Sequence, residues 1–241
     1  MIIINILKIA FLLGFLIFIH ELGHFLVAKL FKVKIKHFAI GFGPTILKKQ
    51  GKETSYELRL IPLGGFVSML GEEEPVEDER AYNKKSKWKR ALILLAGGAV
   101  NIIFGLLTCL ILAMSIFGIK NGFAFTGEIL KTTFQSIIEL FTGKVQVEQL
   151  TGIVGISDMV IETSGIADFI YMLSVISISL GVTNLLPFPP LDGGKILLLL
   201  IEAIRRKPLK ENTEIAIQLL GVCMIIGLSI FVTYNDIVRI F

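Results

Sequence analysis

Ile9-Ala10-Phe11-Leu12-Leu13-Gly14-Phe15-Leu16-Ile17-Phe18-Ile19 runs directly into His20-Glu21-Leu22-Gly23-His24 and leaves through Phe25-Leu26-Val27. The apolar stretch, taken over residues 5–31, exceeds the roughly 20 residues an α-helix needs to cross a bilayer. Lys8, near its start, can snorkel to an interface. Two histidines and a glutamate within five residues of such a stretch are costly. An ionisable group near mid-bilayer costs about 2.5–3.5 kcal/mol on insertion scales, so these residues point to function rather than packing.

Working outward, three further stretches are long and apolar enough to span: 88–119, 166–186 and 214–237. The chain is 54% hydrophobic with a mean hydropathy of +0.76, too apolar for an ordinary soluble domain. The expected fold class is an all-α polytopic membrane protein, one membrane-embedded domain over 1–241. The N-terminal run is not a secretory signal: no basic region precedes it and no small-residue cleavage site follows. Net charge is +4, but the basic residues are not spread as a nucleic-acid surface would spread them. Thirteen Lys or Arg lie between Lys32 and Arg90, three between Ile119 and Gly165, and five between Asp192 and Glu211. The positive-inside rule makes the first and third loops cytoplasmic and puts both termini outside a cell membrane. Cys109 and Cys223 fall in apolar helices and read as small packing residues.

The loops carry their own signals. Residues 33–70 contain Gly41-Phe42-Gly43-Pro44, an alternating run Thr54–Leu60, and Pro62-Leu63-Gly64-Gly65 before Phe66-Val67-Ser68-Met69. They predict a small β-sheet dipping into the bilayer, which is tolerated only against protein or a wet cavity. Glu72–Arg80 reads as a solvated acidic loop, and Lys84–Arg90 with Trp88 as an interfacial anchor. Residues 128–142 form an amphipathic pattern suited to the outer interface, with Gly143 as a stop. Asn184-Leu185-Leu186-Pro187-Phe188-Pro189-Pro190-Leu191-Asp192-Gly193-Gly194 must break the third span, and a short helix Lys195–Ile204 follows.

His20 and His24, four apart on a helix, project from one face and can hold one zinc ion, with Glu21 beside them as general base. A catalytic zinc takes three protein ligands and keeps one open position. Asp192 is the candidate third ligand; its plainer reading is an Asp-Gly turn residue. Depth favours the ligand. Lys8 to His20 spans about 18 Å of helix against a hydrocarbon core of about 30 Å, placing the histidines on the cytoplasmic side of the midplane. Loop charge puts Asp192 on the same side. His37 lies in the basic loop and reads as an ordinary interfacial residue. An edge in the Gly64–Met69 region, with Gly65 and Phe66, could hold an unwound substrate by strand addition. Asn184 could bind substrate backbone or simply pack between helices.

These residues resemble the site-2 protease family of intramembrane metalloproteases, in its bacterial regulator-of-sigma-E protease branch. The likeness rests on His20-Glu21-Leu22-Gly23-His24, Gly41-Phe42-Gly43-Pro44, Pro62-Leu63-Gly64-Gly65-Phe66, Arg80–Asn101, Gly152-Ile153-Val154-Gly155-Ile156 and Asn184–Gly194. It implies one Zn2+ held by His20, His24 and Asp192, Glu21 as general base, and substrate handling by the dipping sheet and Asn184. The implied substrates are single-span membrane proteins, such as anti-sigma factors or remnant signal peptides. The chain departs from this branch in two ways. No PDZ domain fits between the second and third spans, and Ala96-Gly97-Gly98 stands where the family often has Ala-Gly-Pro. Two other classes compete. A metal-ion transporter would spread ligands over several depths, and a non-catalytic scaffold for transmembrane segments would not need Glu21.

Overall fold

The computed structural model describes residues 2–142, 144, 152–207 and 209–240. Helix α1 (Ile2–Leu30) leads into two long strands, β1 (Ile35–Gln50) and β2 (Ser55–Met69). Then come α2 (Lys87–Phe117), α3 (Ile119–Phe141), α4 (Ile153–Glu162), α5 (Ile166–Asn184), α6 (Asp192–Arg205) and α7 (Glu211–Ile240). Four of these, α1, α2, α5 and α7, are long and apolar enough to cross a membrane. They coincide with the four expected spans to within a few residues.

Small residues set how closely the helices approach. A Cβ on Gly23 would lie 2.5 Å from the carbonyl oxygen of Ala96, so α1 and α2 touch backbone to backbone there. A Cβ on Gly105 would meet the Ser174 carbonyl at 2.6 Å, and one on Gly181 the Gly98 carbonyl at 2.5 Å. Apolar surface gains little by leaving lipid, so such close packing is what holds helices together in a bilayer. One core cluster joins α1, α4 and α5 through Leu12, Leu16, Val160 and Leu173. A second joins the end of α1 to the sheet and the start of α2 through Ala28, Val33, Ile35, Phe38, Tyr82 and Ile93.

The expected sheet is present as two bent strands folded into one another. The inner half of β1 pairs antiparallel with the end of β2 (Phe38 with Val67, Ala39 with Phe66, Ile40 with Gly65). The outer half pairs with the start of β2 (Lys48 with Glu57, Gln50 with Ser55). His37 is more than an interfacial residue: its Nδ1 lies 3.1 Å from the Glu57 carboxylate, which Arg59 also holds at 2.8 Å. The ion pair with Arg59 keeps the Glu57 carboxyl down at about 2. At the far end of the sheet Phe42, Ile46, Leu47, Leu60 and Ile61 are exposed.

The amphipathic helix expected over 128–142 begins earlier, at Ile119. Gly118, at φ +79°, ends α2 and reverses the chain, which a residue with a side chain would resist. The first half of α3 then packs back on α2, with Gly122 against Met114 and Thr126 Oγ1 3.8 Å from Cys109 Sγ. Hydrophobic periodicity alone could not distinguish this helical hairpin from a helix lying on the interface. Gly143 is outside the described residues. Helix α4 was not foreseen as an element. Both of its ends carry a complementary charge: Asp236 of α7 accepts from Gly152 N and Gly155 N, each at 2.9 Å, and Lys8 of α1 donates to Thr163 O at 3.3 Å.

Candidate metal centre

Asp192 lies 168 residues beyond His24 in sequence, and close glycine contacts on two sides bring the candidates together. Gly193 and Gly194 tuck the start of α6 beneath the proline-rich turn. A Cβ on Gly193 would lie 2.2 Å from Leu185 O, and one on Gly194 2.6 Å from Phe188 O. This nesting turns Asp192 towards α1. On the opposite side Gly97 of α2 lies against the imidazole edges, where a Cβ would sit 2.3 Å from His24 Nε2 and 2.8 Å from His20 Cε1.

The resulting geometry is a near-equilateral triangle. His20 Nε2 and His24 Nε2 are 3.1 Å apart, and Asp192 Oδ2 lies 3.1 Å from the first and 3.2 Å from the second. A tetrahedral zinc with bonds of about 2.0–2.1 Å has ligand–ligand edges of about 3.3–3.4 Å. The triangle is therefore the right size for three corners of such a site. The two Nε2 atoms lie within hydrogen-bond distance of each other, but Asp192 Oδ2 is buried and has no hydrogen-bond partner of good geometry. His24 Nδ1 lies 2.7 Å from the Ile93 carbonyl, to which it can only donate, leaving the Nε2 lone pair for a metal. The donor set, two imidazoles and a carboxylate, suits zinc. Among the described residues no second group of three such side chains converges in this way.

The triangle opens on a cavity of about 210 Å³. Glu21, Gly65, Phe66 and Val67 line it together with the two histidines and Asp192. A Cβ on Gly65 would fall 3.1 Å from Glu21 Cγ and 2.9 Å from Ile17 Cγ2, so the sheet passes directly over the glutamate. The end of β2, Gly65 to Met69, pairs with β1 on one side only. Of the other residues singled out in the sequence, Gly64 (φ +152°) adjoins the cavity without lining it, and Asn184 closes α5 outside its wall.

Two charged lining residues were missed. Glu72 is no solvated loop residue: it accepts from Met69 N at 3.3 Å and contributes to the cavity wall. Lys195 also lines it, 3.8 Å from Glu72. Its position three residues after Asp192 on a helix was the available signal. The Ile93 carbonyl and Gly97 carried none, because backbone contacts across helices leave no pattern in a sequence.

Residues 8–228 match the protein family Peptidase family M50. The chain belongs to peptidase family M50. Among relatives of this M50 protease is the "Putative zinc metalloprotease" of Clostridium acetobutylicum, 28% identical over 93% of this chain and 95% of that one. The regulator of sigma-W protease RasP of Bacillus subtilis is 24% identical over 97% of this chain and 98% of its own length. The RasP alignment runs over 415 positions, so RasP carries internal segments absent from these 241 residues. The expected resemblance to site-2 proteases is borne out, and so is the expected activity: the chain is a zinc metalloprotease. With four apolar helices it is a multi-pass membrane protein and an intramembrane protease.

Proposed function

We propose that this M50 protease holds one zinc ion per chain through His20, His24 and Asp192, and cleaves transmembrane segments of single-span membrane proteins near the cytoplasmic face. The observation that carries the reading is the triangle of ligand atoms at 3.1–3.2 Å with Glu21 in the same cavity. Bound there, zinc supplies a Lewis acid for the scissile carbonyl and a water acidified to near neutrality. Glu21 takes the proton of the attacking water and delivers it to the leaving nitrogen. Gly65 and Phe66, on the free edge of β2, pair with an unwound substrate as an added strand. Gly64 gives that edge its bend, and Asn184 bonds substrate backbone at the break after α5.

The whole chain acts as a single membrane-embedded domain. The exposed apolar end of the sheet is what supports its dipping into the bilayer, and the apolar stripe of α3 supports contact with the outer interface. Loop charge supports both termini outside and an active site towards the cytoplasm. Substrates are single-span proteins of the anti-sigma factor or remnant signal peptide type. A transporter reading has no second set of ligands in its favour among the described residues.

The test uses purified protein in detergent with a panel of single-span segments. Glu21→Gln should keep one zinc per chain while cleavage falls at least about 100-fold, the span of general-base contributions. Cleavage equal to wild type would remove Glu21 from this role. His20→Ala with undiminished zinc would undo the ligand set.

A further inference from the structure

We infer that Lys195 is a carboxylate-binding site for the newly formed C-terminus of the cleaved substrate. The inference rests on the protease reading above and concerns where the product goes. Hydrolysis breaks the C–N bond and forms a C–O bond from water; at neutral pH it leaves one carboxylate and one ammonium group. The carboxylate is born among the carboxyl groups of Glu21, Glu72 and Asp192, in a space of about 210 Å³.

Lys195 is the single Lys or Arg among the described residues lining that cavity. It stands one helical turn beyond Asp192 on α6, so both side chains project from the same side. It also lines a second, larger cavity of about 540 Å³ towards α6 and α7. The two cavities share Phe66, Val67, Glu72, Leu94 and Lys195, so these residues form the doorway between them. Across the doorway Lys195 Nζ is 3.8 Å from Glu72 Oε1, too long for a hydrogen bond. Glu72 is meanwhile tied to the substrate-facing strand by its bond from Met69 N. An ammonium half-exposed and loosely paired can exchange one carboxylate for another at small cost. The nascent C-terminus displaces Glu72 on Lys195, and the doorway opens towards the larger cavity as product leaves.

The test compares an acetylated apolar peptide ending in a free carboxylate with the same peptide as its C-terminal amide. Binding of each to zinc-loaded full-length protein is measured directly, so the result does not depend on turnover. Lys195→Gln should reduce the acid-over-amide preference about tenfold, the scale of a charge-assisted hydrogen bond, with zinc content unchanged. Lys195→Arg should retain the preference. Glu72→Gln, which removes the competing carboxylate, should raise acid affinity and serves if Lys195→Gln does not fold. An unchanged preference in a zinc-replete Lys195→Gln protein overturns the inference, as does unchanged acid affinity in Glu72→Gln. If the wild-type protein cleaves none of the single-span segments, the protease reading fails without altering this readout.

Discussion

Gly97→Ala tests the metal centre without touching a ligand. The added methyl carbon would lie 2.3 Å from His24 Nε2, 2.6 Å from His24 Cε1 and 2.8 Å from His20 Cε1. Carbon contacts are comfortable from about 3.5 Å, so the imidazoles must retreat by about 1 Å. Two responses are available and both are expensive. His24 can swing away, which breaks its 2.7 Å contact with the Ile93 carbonyl. Alternatively α1 and α2 can part, which opens the close approach of Gly23 to Ala96. Zinc–ligand distances tolerate about 0.2 Å, so a shift of about 1 Å removes at least one imidazole from the coordination sphere. Zinc affinity should then fall about 100-fold or more, beyond the 10–100-fold typical of losing a supporting contact. The assay is zinc per chain after equilibration with a graded chelator, alongside cleavage of a single-span substrate. Gly127→Ala, where a methyl meets nothing within 4 Å, is the control and should be silent. A Gly97→Ala protein that binds zinc like wild type would refute the geometry from which this argument starts.

Two further outcomes follow from the sheet. Gly65→Ala should keep its zinc and lose cleavage about tenfold or more, because the methyl presses on Ile17 and Glu21 rather than on the ligands; zinc loss equal to that of Gly97→Ala would contradict this. Glu57, held ionised by Arg59 down to about 2, stabilises the fold above its unfolded value near 4.5, and that contribution disappears as pH falls from 4.5 through 2. Acid unfolding of Glu57→Gln should therefore diverge from wild type at neutral pH and converge below pH 2; a constant difference across that range would dismiss the ion pair as its source.

Much of this protein was legible from one helix. Histidines and a glutamate at i, i+1 and i+4 within an apolar span imply a metal and a base because helix periodicity and the cost of buried charge are local facts. The spans were legible for the same reason: length and hydropathy are properties of a segment. The proline-rich break before Asp192 was visible, and a depth argument put Asp192 level with the histidines.

What the tertiary structure alone decided is distance. That Asp192 comes within 3.2 Å of both imidazoles depends on Gly193 nesting under Leu185 and on Gly97 leaving room beside His24. These are backbone contacts between helices remote in sequence, and no periodicity announces them. The same holds for Glu72, read in sequence as solvated and found in the cavity wall, and for α3, whose amphipathic stripe is satisfied by α2 in its first half. A stripe or a charge states what a residue must avoid; only the packed chain determines which neighbour it meets.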